Sequence, residues 1–260
     1  MKHKYEKKPR KKRGKIRFII AGILALAGLC VLLYPVMERT IYEREVASEK
    51  DAFLAQVKEA SEKQAQIDGQ GQSQGQQGDT GPNSMPFPDL YAFMQAENVR
   101  MYEMGQSDLM DAFSYEQPMV DMSKYGIYGD RIGFITIPSI GVELPISLGA
   151  NPYNLGQGTA HLTQTSYPIG GINTNCVIAG HRGRVVPMLR NIDKIAMGDE
   201  IYITNPWGTL VYKAVEVKIV HPYEIENIKI QEGRDLVTLF ACHPFLVNTD
   251  RYVLYCERVR

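Results

Sequence analysis

Leu236-Val237-Thr238-Leu239-Phe240-Ala241-Cys242-His243-Pro244 is a short run of apolar and β-branched residues that closes on a cysteine, a histidine and a proline. Residues 236–241 read as a strand, and His243-Pro244 brings it to an end, because proline has no N–H for a ladder. The same texture recurs on either side, at 132–137, 142–146, 176–179, 200–204, 210–220 and 251–259, with turn residues between the runs. Asn205-Pro206-Trp207-Gly208 separates two of them and is a hairpin candidate. Many short strands at regular spacing argue for a sandwich or a closed barrel. Met188, Leu189, Ile192 and Ile195 fall near helical spacing and predict one short helix between 187 and 197. No internal repeat is present.

The first half of the chain has a different character. Residues 1–17 hold ten Lys and Arg against one Glu, so the formal net charge of zero hides a basic tail and an acidic remainder. Residues 18–37 carry no charge and are long enough, at about 1.5 Å per residue, to span a hydrocarbon core of about 30 Å as a helix. A cleaved signal peptide needs a shorter apolar region and small residues after it, and Leu33-Tyr34-Pro35-Val36-Met37-Glu38 offers no such site. The cluster Lys7-Lys8-Pro9-Arg10-Lys11-Lys12-Arg13 precedes the span directly. The bias of Lys and Arg toward the cytoplasm then predicts a single-pass protein of the cell membrane, amino terminus inside and everything after Glu38 outside. A basic run in this position is not read as a nucleic-acid site.

Beyond the span, 38–67 has the moderate helical pattern of a stalk, with Ile41, Phe53, Leu54 and Val57 as its apolar members. Residues 68–84, rich in Gly, Gln and Ser, predict a flexible linker. Residues 85–129 hold a weakly amphipathic stretch at 89–104 and then an irregular segment, and 130–260 holds the β-rich domain. Of the four cysteines Cys30 lies in the span, which leaves Cys176, Cys242 and Cys256 outside. Three is an odd number, and no Cys-x-x-Cys spacing occurs. A zinc site is therefore not expected, no metal or cofactor is predicted, and one thiol stands out as a candidate for reactivity. Three inert buried thiols are the bland alternative.

Three polar residues stand where a barrel is ordinarily featureless. His181 follows the apolar run Val177-Ile178-Ala179-Gly180, Cys242 closes the strand at 236–241, and Arg251 opens the last run after Asn248-Thr249-Asp250. Each alone is a structural histidine, a core thiol or a solvated charge. Together they form a chemical unit, because only the thiolate attacks and a neighbouring cation favours it.

At these residues the chain resembles the sortases, which cut a sorting motif of the Leu-Pro-X-Thr-Gly kind and join it to an amine. Thr238-Leu239-Phe240-Ala241-Cys242 is similar to the family's Thr-Leu-X-Thr-Cys strand, with Ala241 where Thr is usual. Ala179-Gly180-His181-Arg182-Gly183 and Arg251-Tyr252-Val253 also match, as do 132–138 with Leu144-Pro145-Ile146 and 156–162. The likeness covers about 131–259. It implies a mainly β fold, a closed barrel of about eight strands with short helices, preceded by the transmembrane helix and a helical stalk and lid region. It further implies that Cys242 forms a thioester with the Thr, that His181 protonates the leaving amine, and that Arg251 hydrogen-bonds the substrate backbone and the oxyanion. His243 and His161 are rival bases. His243, next to Cys242, points to the opposite face of the strand unless the strand breaks before Pro244.

The segment 101–114 resembles the lid of class C sortases, the pilin polymerases, in which an Asp-Pro-aromatic triplet plugs the site. Asp111-Ala112-Phe113 would be that triplet, and its Ala removes the φ constraint of proline. The short interval between Cys242 and Arg251 also resembles class C. The partners implied are pilin or surface-protein sorting signals and an amine, either a pilin Lys or a peptidoglycan cross-bridge. A sortase that anchors surface proteins to peptidoglycan is the alternative within the enzyme class, and a non-catalytic, membrane-tethered peptide-binding module the alternative outside it.

Overall fold

The structure is a computed structural model and describes residues 13–71, 85–106, 109, 120–127, 129–183 and 188–259. Two helices, α1 (Arg13–Gly71) and α2 (Pro88–Glu103), precede the sheet, and α3 (Pro152–Gln157) interrupts it. The strands are β1 (Arg131–Ile137), β2 (Val142–Leu148), β3 (Thr159–His161), β4 (Thr174–Gly180), β5 (Glu200–Asn205), β6 (Gly208–Val220), β7 (Asp235–His243) and β8 (Asp250–Arg258). They close into one barrel in the order β1-β2-β3-β4-β7-β8-β6-β5, the mainly β architecture the sequence predicts. Pairing is parallel between β2 and β3 and between β4 and β7, and antiparallel elsewhere. Closure pairs every strand on both sides, so the barrel presents no open edge.

Alternation along the strands sorts side chains into two apolar clusters. The larger one includes Ile178, Val237, Leu239, Leu254 and Cys256 together with β1, β2 and β5 residues. The smaller one lies on the other face of β4, β7 and β8, where Val177, Leu236, Phe240, Val253 and Tyr255 meet Leu155, Leu162 and Ile228 from the connections. The predicted hairpin forms: Asn205 faces Gly208, and the Asn205 side chain accepts a hydrogen bond from the Trp207 N–H at 2.9 Å. The Trp207 indole donates to the Pro86 carbonyl at 2.6 Å and meets Tyr91 of α2 edge-on, so α2 caps the hairpin. Leu90, Met94, Asn98 and Met101 form the buried stripe of α2.

The short helix expected between 187 and 197 is instead a 3₁₀ turn at Ile192–Lys194. Met188, Leu189, Ile192 and Ile195 are all buried, and the backbone N–H groups of Ile192, Lys194 and Ile195 donate to the carbonyls three residues earlier, the 3₁₀ pattern rather than the α pattern.

Helix α1 passes without a break through 18–37 and 38–67, with Pro35 inside it, and ends at Gly71. It is the one helix among the described residues that is long and apolar enough to cross a membrane, with mean hydropathy 2.5 and nothing buried in its apolar stretch. Farther along, Val46, Phe53 and Val57 are buried against the barrel, and Phe53 packs edge-on to Phe134 of β1 at 5.6 Å. Glu49 pairs with Arg131, Lys50 pairs with Glu143, and the Tyr42 hydroxyl donates to the Gln157 carbonyl at 3.0 Å. The segment read as a stalk thus lies along β1 and β2.

Gly133 fixes the seam between β1 and β5. A Cβ there would sit 2.1 Å from the Thr204 carbonyl oxygen, a backbone atom that cannot rotate away. Gly133→Ala is expected to lower the unfolding free energy by about 2–3 kcal/mol or more in urea denaturation. A loss below about 0.5 kcal/mol would contradict this packing.

Candidate active site

The ladder around β7 brings the three singled-out residues together. Cys242 lies directly opposite Arg251 in the antiparallel pairing of β7 and β8. In the parallel pairing of β4 and β7 the last pair is Ala179 with Phe240, and two residues beyond it His181, just past the end of β4, and Cys242 line the same cleft. Cross-strand partners point to the same face. His181, Cys242 and Arg251 therefore stand in one row, with the sulfur in the middle and about 5 Å between neighbouring backbones. The row closes the face that carries the buried side chains of Leu236, Thr238 and Phe240.

A cleft of about 390 Å³ opens over the row, lined by Gly156, His181, Arg182, Gly183, Met188, Cys242 and Asn248. His181 is exposed and Cys242 is half-buried, so solutes reach both. Arg251 is 8% exposed and does not line the cleft wall; its Nη1 donates to the carbonyls of Asn248 at 3.2 Å and Asp250 at 2.8 Å. Those bonds hold the guanidinium against the β7–β8 connection. The β7–β8 connection is a compact turn in which the N–H groups of Val247 and Asn248 both donate to the Pro244 carbonyl, at 3.1 and 3.0 Å.

The opposite wall is built by Arg182 and its neighbours. The Arg182 guanidinium pairs with Asp193 at 2.8 Å and donates from Nε and Nη2 to the Arg190 carbonyl at 3.0 and 2.7 Å. Arg190 Nε donates to the Gly183 carbonyl at 2.6 Å. Phe245 receives the Arg182 guanidinium at 5.6 Å and that of Arg190 at 5.5 Å over its ring.

The rival bases occupy other places. His161 is fully buried on β3, stacked on Tyr167, and its Nε2–H is shared between the Thr165 and Ser166 carbonyls at 3.0 Å each. Burial pulls its pKa down to about 4, against the smaller opposing effect of those two hydrogen bonds, so it is a neutral structural group. β7 continues through His243, which pairs with Asp250 and by alternation faces away from Cys242, toward the Tyr252 ring. Cys176 and Cys256 flank Val237 on either side, two strand spacings apart and too distant for a disulfide. Both thiols are buried, and desolvation pushes their pKa values up. The lid residues Asp111 and Phe113 lie outside the described residues.

As lining of the cleft, Met188 and Asn248 had not been singled out from sequence, which marked Met188 only as part of a short helix and Asn248 only as part of a turn. Phe245 sits in a connection, where neither a period of 2 nor one of 3.6 marks a residue. Among the described residues no group of three or more His, Cys, Asp and Glu could hold a metal ion.

Comparison with known proteins agrees with this architecture. The Sortase domain model matches residues 135–259. The chain is 31% identical over 134 residues to sortase D of Bacillus subtilis (strain 168), covering 50% of this chain and 65% of that protein's length. Among solved structures, sortase C1 of GBS Pilus Island 1 shares 28% identity with a TM-score of 0.60, over 65% of this chain and 87% of that one. Sortase C-1 from Actinomyces oris shares 31% identity with a TM-score of 0.56, over 66% of this chain and 99% of that one. A closed eight-stranded barrel with a cysteine, a histidine and an arginine abreast at one rim is a frame for thiol-based acyl transfer. The chain belongs to the sortase family, a family of cysteine transpeptidases, and the two solved structures just named are class C sortases.

The burial of the three outer thiols differs enough to be read chemically. Brief exposure of the folded protein to iodoacetamide, followed by peptide mapping, is expected to label Cys242 and to leave Cys176 and Cys256 unmodified until the barrel is unfolded. Native-state labelling of Cys256 at the rate of Cys242 would contradict the placement.

Proposed function

We propose that the protein is a membrane-anchored transpeptidase that polymerises pilin subunits. It cleaves an LPXTG-like sorting motif and passes the acyl group to a Lys amine of a neighbouring pilin. The observation that carries the reading is the row of His181, Cys242 and Arg251 across three adjacent strands beneath an open cleft. The pilin assignment is supported by the likeness to sortase C1 of GBS Pilus Island 1. The uncharged stretch of α1 behind a basic tail supports a single-pass anchor in the cell membrane, amino terminus in the cytoplasm and barrel outside.

In this mechanism the Cys242 sulfur attacks the carbonyl carbon of the Thr-Gly bond as thiolate, its proton residing on His181. Arg251, opposite Cys242 in the β7–β8 ladder, donates to the oxyanion that forms. His181 gives its proton to the Gly nitrogen, the C–N bond breaks, and a thioester to the Thr remains. The incoming amine then attacks the thioester, its proton passes to His181, and the sulfur leaves to be reprotonated. No cofactor is required.

Cys242→Ala is expected to abolish transpeptidation of a sorting-motif peptide with the circular dichroism unchanged, and undiminished product would sink the assignment. His181→Ala and Arg251→Ala are each expected to lose at least about 10²-fold in turnover, as for an acid–base group and an oxyanion donor. A larger loss in His243→Ala than in His181→Ala would transfer the acid–base role. For the lid, we propose that Asp111 and Phe113 cover the cleft and that Ala112 makes the cover open readily. Replacing both by Ala should raise the rate at which Cys242 reacts with a thiol reagent, by less than about tenfold. Equal rates would remove the lid from the mechanism.

A further inference from the structure

The two segments that carry the reacting groups leave the barrel side by side and are then joined by an aromatic ring. β4 runs into His181 and on to Arg182; β7 runs through Cys242 and His243 to Pro244 and Phe245. Arg182 is tied down through Nε and Nη2, while its Nη1 is buried without a hydrogen-bond partner among the described residues. Its side chain is 4% exposed, it pairs with Asp193, and two of its N–H groups fork onto the Arg190 carbonyl. The Leu189 N–H donates to the His181 carbonyl at 3.0 Å, and Arg190 Nε donates to the Gly183 carbonyl, so the backbone on both sides of Arg182 is tied as well. Against this fixed frame rests Phe245, with the Arg182 and Arg190 guanidinium carbons 5.6 and 5.5 Å from its ring centroid. Contacts of this kind attract the cation to the ring face, and they are stronger where water is excluded.

We propose that Phe245, Arg182 and Arg190 act as a positioning clamp that sets the separation between the His181 imidazole and the Cys242 sulfur. The inference rests on the His181–Cys242 mechanism proposed above. Arg182 is the residue next to His181, and Phe245 is three residues beyond Cys242. The ring contact is therefore a cross-link between the acid–base segment and the nucleophile segment, placed past the last rungs of the sheet that hold them in register. β4 and β7 pair only as far as Ala179 and Phe240, two residues short of the reacting groups. Beyond that point the ladder no longer dictates their spacing and the clamp does. Phe245 is not among the residues lining the cleft, so it acts through His181 and Cys242 and not on substrate. Proton transfer needs its partners within about 2.6–3.2 Å, and a small splaying of the two segments is sufficient to break that reach.

The test uses the full chain and a sorting-motif peptide, with kcat and KM measured separately across pH. Phe245→Leu keeps apolar bulk and removes the π face; Phe245→Trp keeps a face that binds cations better. The clamp predicts that Phe245→Leu loses about tenfold in kcat, changes KM by less than about threefold, and displaces the limbs of the pH–rate profile, while Phe245→Trp retains most of the wild-type kcat. An unchanged kcat and pH profile in Phe245→Leu would overturn it, as would an equal loss in the Leu and Trp variants. Should Phe245→Leu melt below the assay temperature, Arg190→Gln withdraws one guanidinium from the ring and leaves the Arg182–Asp193 pair in place. A lowered kcat there supports the clamp, and an unchanged one overturns it. Activity surviving in Cys242→Ala would instead be a failure of the underlying mechanism, so the two failures are distinguishable.

Discussion

Residues Thr174 to Ala179 pair in parallel with Asp235 to Phe240, and two parallel strands cannot be joined by a hairpin. The chain must cross from one end of the barrel to the other between them, and it uses that crossover to build most of what surrounds the site. Immediately after β4 come His181, Arg182 and the cleft wall; then the β5–β6 hairpin, which closes the barrel against β1 and β8; then the return to β7. The final hairpin adds Arg251 on the far side of Cys242. A one-residue slip in either ladder would turn one of the three groups to the opposite face.

The long connections need another source of order, and buried polar side chains provide it. Asn175 donates to the carbonyls of Ile228 and Lys229 at 3.0 Å and accepts from Thr238 at 2.7 Å, pinning the approach to β7 onto β4. Asn154 does the same at the other rim, donating to the Leu148 and Gly149 carbonyls and holding α3, whose Gly156 lines the cleft. On the opposite end, Asn98 of α2 accepts from the Tyr167 N–H at 2.7 Å. Each of these amides is almost wholly buried, so losing a partner would leave a polar group stranded in apolar surroundings, a cost of about 1–3 kcal/mol.

What could be read in advance follows from how local each signal is. β7 and β8 were legible because an apolar run and its polar terminators lie within nine residues of each other. β3 was not, since three residues are too few to show a period. The turn through Ile192 mimicked an α-helix because all four apolar residues of that segment are buried, and only the backbone hydrogen bonds show the 3₁₀ pattern. On α1, Ile41 and Leu54 looked like members of the apolar stripe, yet both are exposed, while Val46 is buried between the Tyr42 contact and the Glu49 and Lys50 ion pairs. As for the site, His181, Cys242 and Arg251 were each visible as odd polar residues at strand ends. That they share one row depends on the pairing of β4 with β7, which joins residues 61 positions apart and leaves no trace in either segment alone.

Because α1 is unbroken from its apolar stretch to the face that packs on β1 and β2, the barrel is keyed to that stretch like a bit to a shank. Each helical residue contributes about 1.5 Å of rise and about 100° of rotation. One residue added between Met37 and Tyr42 would therefore swing the cleft through roughly a quarter of a circle while barely lifting it. Seven added residues would raise it by about 10 Å and return its bearing to within about 20° of the original. The height and the azimuth of the Cys242 sulfur are thus separate settings, both written in the number of residues between a lipid-like surface and a tyrosine.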